Sequence, residues 1–166
     1  LGDVYKRQGS WYRGTPLWVA VEKAGGVAAS FYWVGSEADI QGVRPSHYRR
    51  YDGRVKNSQR VQQVLSWLQL PAAQRPNLIT FYFSDVDSVG HNFGPNSAEV
   101  NNAIAKVDRE IGQLLQGLAT LPFQVNLIIT SDHGMAEVKL DQTRYFSDWI
   151  DICLLYTSDA ADDPTC

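Results

Sequence analysis

Asp87, His91, Asp132 and His133 are the residues in this sequence whose types and spacing suit chemistry. Asp87 and His91 stand four positions apart in Asp87-Ser88-Val89-Gly90-His91, and Gly90 is expected to bend the backbone between them. Asp132 and His133 are adjacent, in Ser131-Asp132-His133-Gly134-Met135. Each pair follows an apolar run: Leu78-Ile79-Thr80-Phe81-Tyr82-Phe83 before the first, residues 125–130 before the second. Carboxylate oxygen with neutral imidazole suits a borderline divalent ion such as zinc, and also manganese or iron. Two such ions about 4 Å apart clamp an in-line displacement at phosphorus, one activating the nucleophile and the other stabilising the leaving oxygen. Either motif alone is more often a plain turn, because Asp after a strand bonds local amides. Both together, at equivalent strand ends of a chain with 3 histidines, point to metal. Four ligands are too few for two closed sites, so the rest must come from elsewhere. His47 has no such company and is expected to be a solvated loop residue.

The elements that must position these residues alternate. Thr15-Pro16 opens a helix with Leu17, Trp18, Val21 and Ala24 on its apolar side, and Gly25-Gly26 stops it. Residues 27–33 read as a buried strand. Residues 35–53 read as a long irregular connection rich in glycine, a length that is functional when real. Ser58 is expected to cap a second helix with Val61, Val64, Leu65 and Leu68 on one face. Pro71 and Pro76 end it before the strand from Asn77. Asn96-Ser97-Ala98-Glu99 has capping-box spacing. It opens the longest helix, residues 97–118, with Val100, Ile104, Val107, Ile111, Leu114, Leu115 and Leu118 as a core stripe opposed by Lys106, Arg109 and Glu110. Residues 125–130 form the third strand. This order implies an α/β fold: a parallel sheet with helices on both faces. Right-handed crossovers place the three strand ends on one edge, where open α/β sheets bind ligands.

The 166 residues are enough for one core. A hydrophobic content of 44% and a charged content of 20% describe an ordinary folded protein. A net charge of −3 gives no basic footprint for nucleic acid. No apolar run approaches the roughly 20 residues of a membrane-spanning helix. Residues 1–8 and 153–166 resemble translated sequencing adapter, as found on open reading frames from metagenomic shotgun assemblies, and are set aside as non-native ends. Cys153 and Cys166 both fall there. The native part, residues 9–152, therefore has no cysteine for nucleophilic catalysis.

A family resemblance rests on the motif Tyr82-Phe83-Ser84-Asp85-Val86-Asp87-Ser88-Val89-Gly90-His91-Asn92-Phe93-Gly94-Pro95, followed by Asn126-Leu127-Ile128-Ile129-Thr130-Ser131-Asp132-His133-Gly134-Met135. The segments Trp33-Val34-Gly35-Ser36-Glu37, Ile40-Gln41-Gly42, Tyr51-Asp52-Gly53 and Trp67-Leu68-Gln69-Leu70 add to it in order. Together they resemble the nucleotide pyrophosphatase/phosphodiesterase family of the alkaline phosphatase superfamily, across residues 9–149. The resemblance implies an alkaline-phosphatase-like core, here incomplete, and a two-zinc phosphodiesterase. It places Asp87 and His91 on the zinc that activates water, and Asp132 and His133 on the zinc beside the nucleophile. It implies a covalent threonine intermediate, with the threonine and two further ligands outside the matched residues. Thr15, Thr80 and Thr130 lie in no matching motif, so the chain reads as an internal fragment without its nucleophile.

Val34 stands where that family usually has proline, and Ser84 replaces a common acidic residue. Tyr51 and Tyr82 match aromatic positions that line the family's nucleoside pocket, with Trp33 beside them. Strand aromatics are commonly buried for area alone. Tyr51, on a loop, leans toward substrate binding. The implied substrate is a nucleotide or other small phosphodiester. One alternative is a choline-type lipid phosphodiesterase of the same family, and another is a non-catalytic metal-binding module. An extracytoplasmic address follows from the resemblance alone.

Overall fold

Residues 28–31 and 78–81 run side by side because both are short apolar stretches with no charge to solvate, and parallel pairing leaves the first fully buried and the second partly so. The computed structural model describes residues 8–138, 141 and 143–150. The adapter-like ends, Cys153 and Cys166 lie outside these, except that Gln8 begins a 3-10 turn, Gln8–Trp11. The remaining elements are α1 (Leu17–Lys23), β1 (Ala28–Phe31), β2 (His47–Arg49), α2 (Asn57–Leu68), β3 (Leu78–Phe81), α3 (Asp85–Phe93) and α4 (Ala98–Ala119). A further 3-10 turn, Phe146–Asp148, closes the series.

The sheet has the order β2-β1-β3, all parallel. Ala28 pairs with Leu78 and Phe31 with Phe81, which sets the two strand ends level. Alternation along β1 divides the core. Ala28 joins Trp18, Val19, Ala38 and Ile40 under α1. Ala29 and Phe31 join Val61, Val64, Trp67, Leu68 and Leu114 under α2 and α4. Helices therefore cover both faces, as the alternation of elements implies. Buried Thr80 donates to buried Ser30 across the strands at 2.9 Å.

Several expectations are corrected. Residues 35–53 contain β2, so the connection is not wholly irregular. His47 lies on that strand, half-buried. Its Nε2 donates to the Gln74 carbonyl at 3.0 Å, and its ring sits 6.0 Å from that of Trp67. It is a packed structural residue and not a solvated one. Helix α2 begins at Asn57 and not after a Ser58 cap; the Lys56 amide donates to Gln59 Oε1 at 3.2 Å instead. The Asp87-to-His91 stretch is not a glycine-bent turn but the body of α3. Asp85 and Asp87 in its first turn favour that helix through its dipole, and Gly94, at φ 84°, ends it.

The largest difference concerns residues 125–130, which form no strand. Ile128 is 87% exposed and Ile129 65%. A β-branched run becomes a strand only against a ladder partner, and none of the described strands pairs with this one. The α4 stripe is likewise incomplete. Val100, Ala103 and Leu114 are buried, whereas Ile104 and Leu115 are half uncovered because nothing described packs over them.

Trp67 links the layers, with Phe31 at 5.8 Å on the sheet and the Arg49 guanidinium 5.6 Å from its ring. Trp67→Ala is expected to cost about 3–5 kcal/mol through cavity formation. Urea denaturation measures this; a loss below about 1 kcal/mol would contradict the packing described.

Candidate active site at the carboxyl edge of the sheet

Both strand ends turn sharply, and the turns hold what the strands deliver. Beyond β1, Tyr32 takes φ 64°, a conformation that costs a non-glycine residue energy. Its buried ring lies 5.1 Å from Tyr51, edge to face, with Arg60 4.9 Å over its centre. Trp33 follows at the surface. Glu37 Oε1 accepts from the Tyr51 amide at 2.7 Å, tying the Trp33 loop to the Tyr51 loop. Arg54 clamps the next residue: its amide, Nε and Nη2 all donate to the Asp52 carboxylate, at 3.0, 2.9 and 2.9 Å. Those bonds hold the Asp52 carboxyl at about 2.

Beyond β3, the chain passes Tyr82 and enters α3. Asp85 is pinned from two sides: Asn57 of α2 donates to Oδ2 at 2.8 Å, and Lys106 of α4 donates to Oδ1 at 2.6 Å. Burial raises its pKa, but the hydrogen bonds from Lys106 and Asn57 and the charges of Lys106 and Arg60 lower it more, so the net shift is downward. Lys106, on the side of α4 opposite the expected stripe, thus forms an ion pair that fixes the start of α3.

Asp87 and His91 face the same way, one helical turn apart, with His91 Nε2 3.4 Å from Asp87 Oδ1. The second pair reaches them from the 131–135 turn. His133 Nε2 lies 3.6 Å from Asp132 Oδ2 and 3.9 Å from Asp87 Oδ1. His133 Nδ1 lies 3.0 Å from the Gly134 carbonyl, which can only accept, so Nδ1 carries the proton. Nε2 is then left facing the carboxylates, the arrangement of a histidine ready to ligate. The Gly134 bond and the charges of Asp132 and Asp87 raise the His133 pKa.

The donor chemistry fits a borderline divalent ion. The 3.4 Å spacing is longer than a good hydrogen bond and close to the roughly 3.4 Å between neighbouring donors on a tetrahedral zinc. Among the described residues, however, no three His, Cys, Asp or Glu side chains are gathered into a group that could hold a metal. The pairs are adjacent; a closed ligand set is not formed by them.

Beside Asp87 opens a cleft of about 770 Å³ lined by Trp33, Tyr51, Tyr82, Tyr12 and Glu37. The Tyr51 hydroxyl lies 3.3 Å from Ser84 Oγ, at the position where the resemblance expects an acid. Tyr82 has its pKa raised by burial first, then by Asp87, Asp132 and Tyr51, so it stays a neutral phenol. Tyr12 lies in no motif, and Glu37, though it ends the Trp33–Glu37 segment of the resemblance, had no role assigned to it there. They were missed because their proximity to Tyr51 is set by loop closure and not by spacing.

The helix-covered parallel sheet with this edge is an alkaline-phosphatase-like α/β core. Murine ectonucleotide pyrophosphatase/phosphodiesterase 5, an inactive variant in complex with AMP, superposes with a TM-score of 0.74 at 31% identity, over 82% of this chain and 37% of that one. The model of the type I phosphodiesterase/nucleotide pyrophosphatase family matches residues 2–161, and the chain belongs to that family. It is 39% identical to a venom phosphodiesterase of Crotalus durissus collilineatus over 91% of this chain and 18% of that protein. It is also 39% identical to human ectonucleotide pyrophosphatase/phosphodiesterase family member 1 over 84% of this chain and 15% of that protein. The chain thus spans less than a fifth of the length of these curated relatives.

The Asp85 shift has a pH consequence with a definite sign. A carboxyl whose folded pKa is depressed stabilises the fold above its unfolded pKa of about 3.9, and that stability is lost as pH falls through the folded value. Lys106→Met removes the main lowering influence and leaves the burial. The variant is expected to melt lower than the parent near pH 6 but to lose less melting temperature between pH 6 and 2, because less of the stability conferred by a depressed carboxyl pKa remains to be lost. Superimposable profiles would show that the pair is not linked to folding.

Proposed function

We propose that this chain is part of the catalytic domain of a zinc-dependent nucleotide pyrophosphatase/phosphodiesterase. The complete enzyme cleaves nucleoside 5′-phosphodiester or pyrophosphate bonds and releases the 5′-monophosphate. One observation carries this reading: Trp33, Tyr51, Tyr82 and Asp87 line a single cleft. A nucleotide needs a flat wall for its base and a polyvalent site for its phosphate, and the cleft offers the first running into the second. Aromatic stacking contributes about 1–3 kcal/mol per base without demanding one base. The AMP bound by the murine relative supports such an occupant.

In this reading Asp87 and His91 hold one zinc, and Asp132 and His133 belong to a second. When bound, zinc supplies charge stabilisation to the phosphoryl oxygens and lowers the pKa of a coordinated hydroxyl. Tyr82, a neutral phenol beside Asp87, offers a hydrogen bond at the phosphate end of the cleft. The covalent threonine comes from outside the matched residues. Thr80 is unsuited, being buried and bonded to Ser30. The venom and ectoenzyme relatives support an extracytoplasmic address. No helix among the described residues is long and apolar enough to cross a membrane.

The full-length enzyme, assayed with a nucleotide panel and with glycerophosphocholine, tests the substrate class. Turnover of nucleoside 5′-phosphodiesters is expected to dominate, and preference for the choline ester would reverse the assignment. Tyr51→Ala in that enzyme is expected to raise KM about 5- to 150-fold with kcat less affected. The chain by itself is expected to bind zinc weakly in calorimetry and to turn nothing over. Ordinary phosphodiesterase rates from it would overturn the division of the site between this chain and the rest of the enzyme.

A further inference from the structure

We propose that Met135 and Gly90 form a lock that positions the Asp132/His133 turn against Asp87 and His91. Residues 126–138 make no ladder hydrogen bonds, and every one of them is exposed except Met135, which is half-buried. The hydrogen bonds of the turn run within it: Ser131 Oγ to the His133 carbonyl, the His133 amide to Asp132, and His133 Nδ1 to the Gly134 carbonyl. None of these attaches the turn to the rest of the molecule. The 3.9 Å from His133 to Asp87 is too long to do so.

The thioether does attach it. A Cβ placed on Gly90 would lie 2.6 Å from Met135 Sδ and 3.0 Å from its Cε, with Val100 Cγ2 of α4 at 4.0 Å behind. Gly90 is the buried residue of α3, and its φ is not left-handed. The backbone there does not require glycine, and a helix interior disfavours it by about 1 kcal/mol against alanine. What fills the space where a Cβ would stand is the far end of Met135, an unbranched side chain that fits such a notch and must withdraw from it if the notch is filled. Gly90 precedes His91 directly and lies three residues beyond Asp87, so the notch opens between the first pair. Both residues act by positioning and touch no substrate.

This inference rests on reading the two Asp/His pairs as one site, but its first test does not. Met135 is the single methionine of the chain, so a ¹³C-methyl label reports on it alone. Nuclear Overhauser contacts are expected from its methyl to Gly90 Hα and Val100, and from the His133 ring to the Asp87 methylene. Gly90→Ala is expected to abolish both sets, because the end of Met135 must leave the notch, and to raise the melting temperature less than helix propensity alone would. In a Met135→Ala background, which leaves α3 intact, the same Gly90→Ala change should raise the melting temperature, since only helix propensity remains. Met135→Leu, close in volume, should keep the His133–Asp87 contact. The lock is overturned if Gly90→Ala changes stability equally in both backgrounds, or if the His133–Asp87 contact survives it. In the full-length enzyme Gly90→Ala should reduce kcat at least tenfold with little change in KM. An unchanged kcat alongside lost lock contacts would support the lock and count against the catalytic assignment of the pairs.

Discussion

Parallel pairing of β1 with β3, level from Ala28–Leu78 to Phe31–Phe81, is the constraint on which the rest depends. It makes two segments 50 residues apart in sequence finish at one edge. The aromatic residues following β1 and the acidic residues following β3 then have no choice but to meet. The division of apolar residues between two faces follows from the same pairing, because alternate side chains of β1 feed separate cores under α1 and under α2 with α4. A slip of one residue would exchange those faces and withdraw Trp33 from Tyr82.

The electrostatics of the edge grow out of the start of α3. Asp85 is neutralised by Lys106 and anchored by Asn57, which leaves Asp87, two residues on, beside the cleft. Arg60, held over Tyr32 and bonded to the Val55 carbonyl, offsets part of the charge through Asp85 and Tyr82 but makes no ion pair with Asp87 or Asp132 among the described residues. Asp87 and Asp132 therefore concentrate negative charge at one place, and both add to the raised pKa of Tyr82, which burial raises first. A site so built favours a cation or a group that brings one.

Apolar surface without cover runs along two features, the outer side of α4 at Ile104 and Leu115 and the stretch from Leu127 to Ile129. Both have the composition of core and the exposure of surface. For residues 125–130 this separates intrinsic preference from realised structure: a strand-forming run stays without a ladder where no partner edge meets it. The 131–135 turn is consequently joined to the body of the protein through side-chain packing and not through sheet pairing.

Local chemistry made much of this protein legible from its sequence. Residue types in short windows determined two of the apolar strands, the start of α4 to within a residue and the stop at Gly25, because capping and left-handed glycine act over a few residues. Tertiary structure decided what depends on partners. It placed His47 on a strand, turned the Asp87–His91 stretch into a helix, left residues 125–130 unpaired, and filled the space beside Gly90 with a side chain 45 positions away in the numbering. The cause is the same in each case. A sequence states what a segment can do alone, whereas burial, ladder pairing and the space left for a neighbour exist only once other segments have arrived.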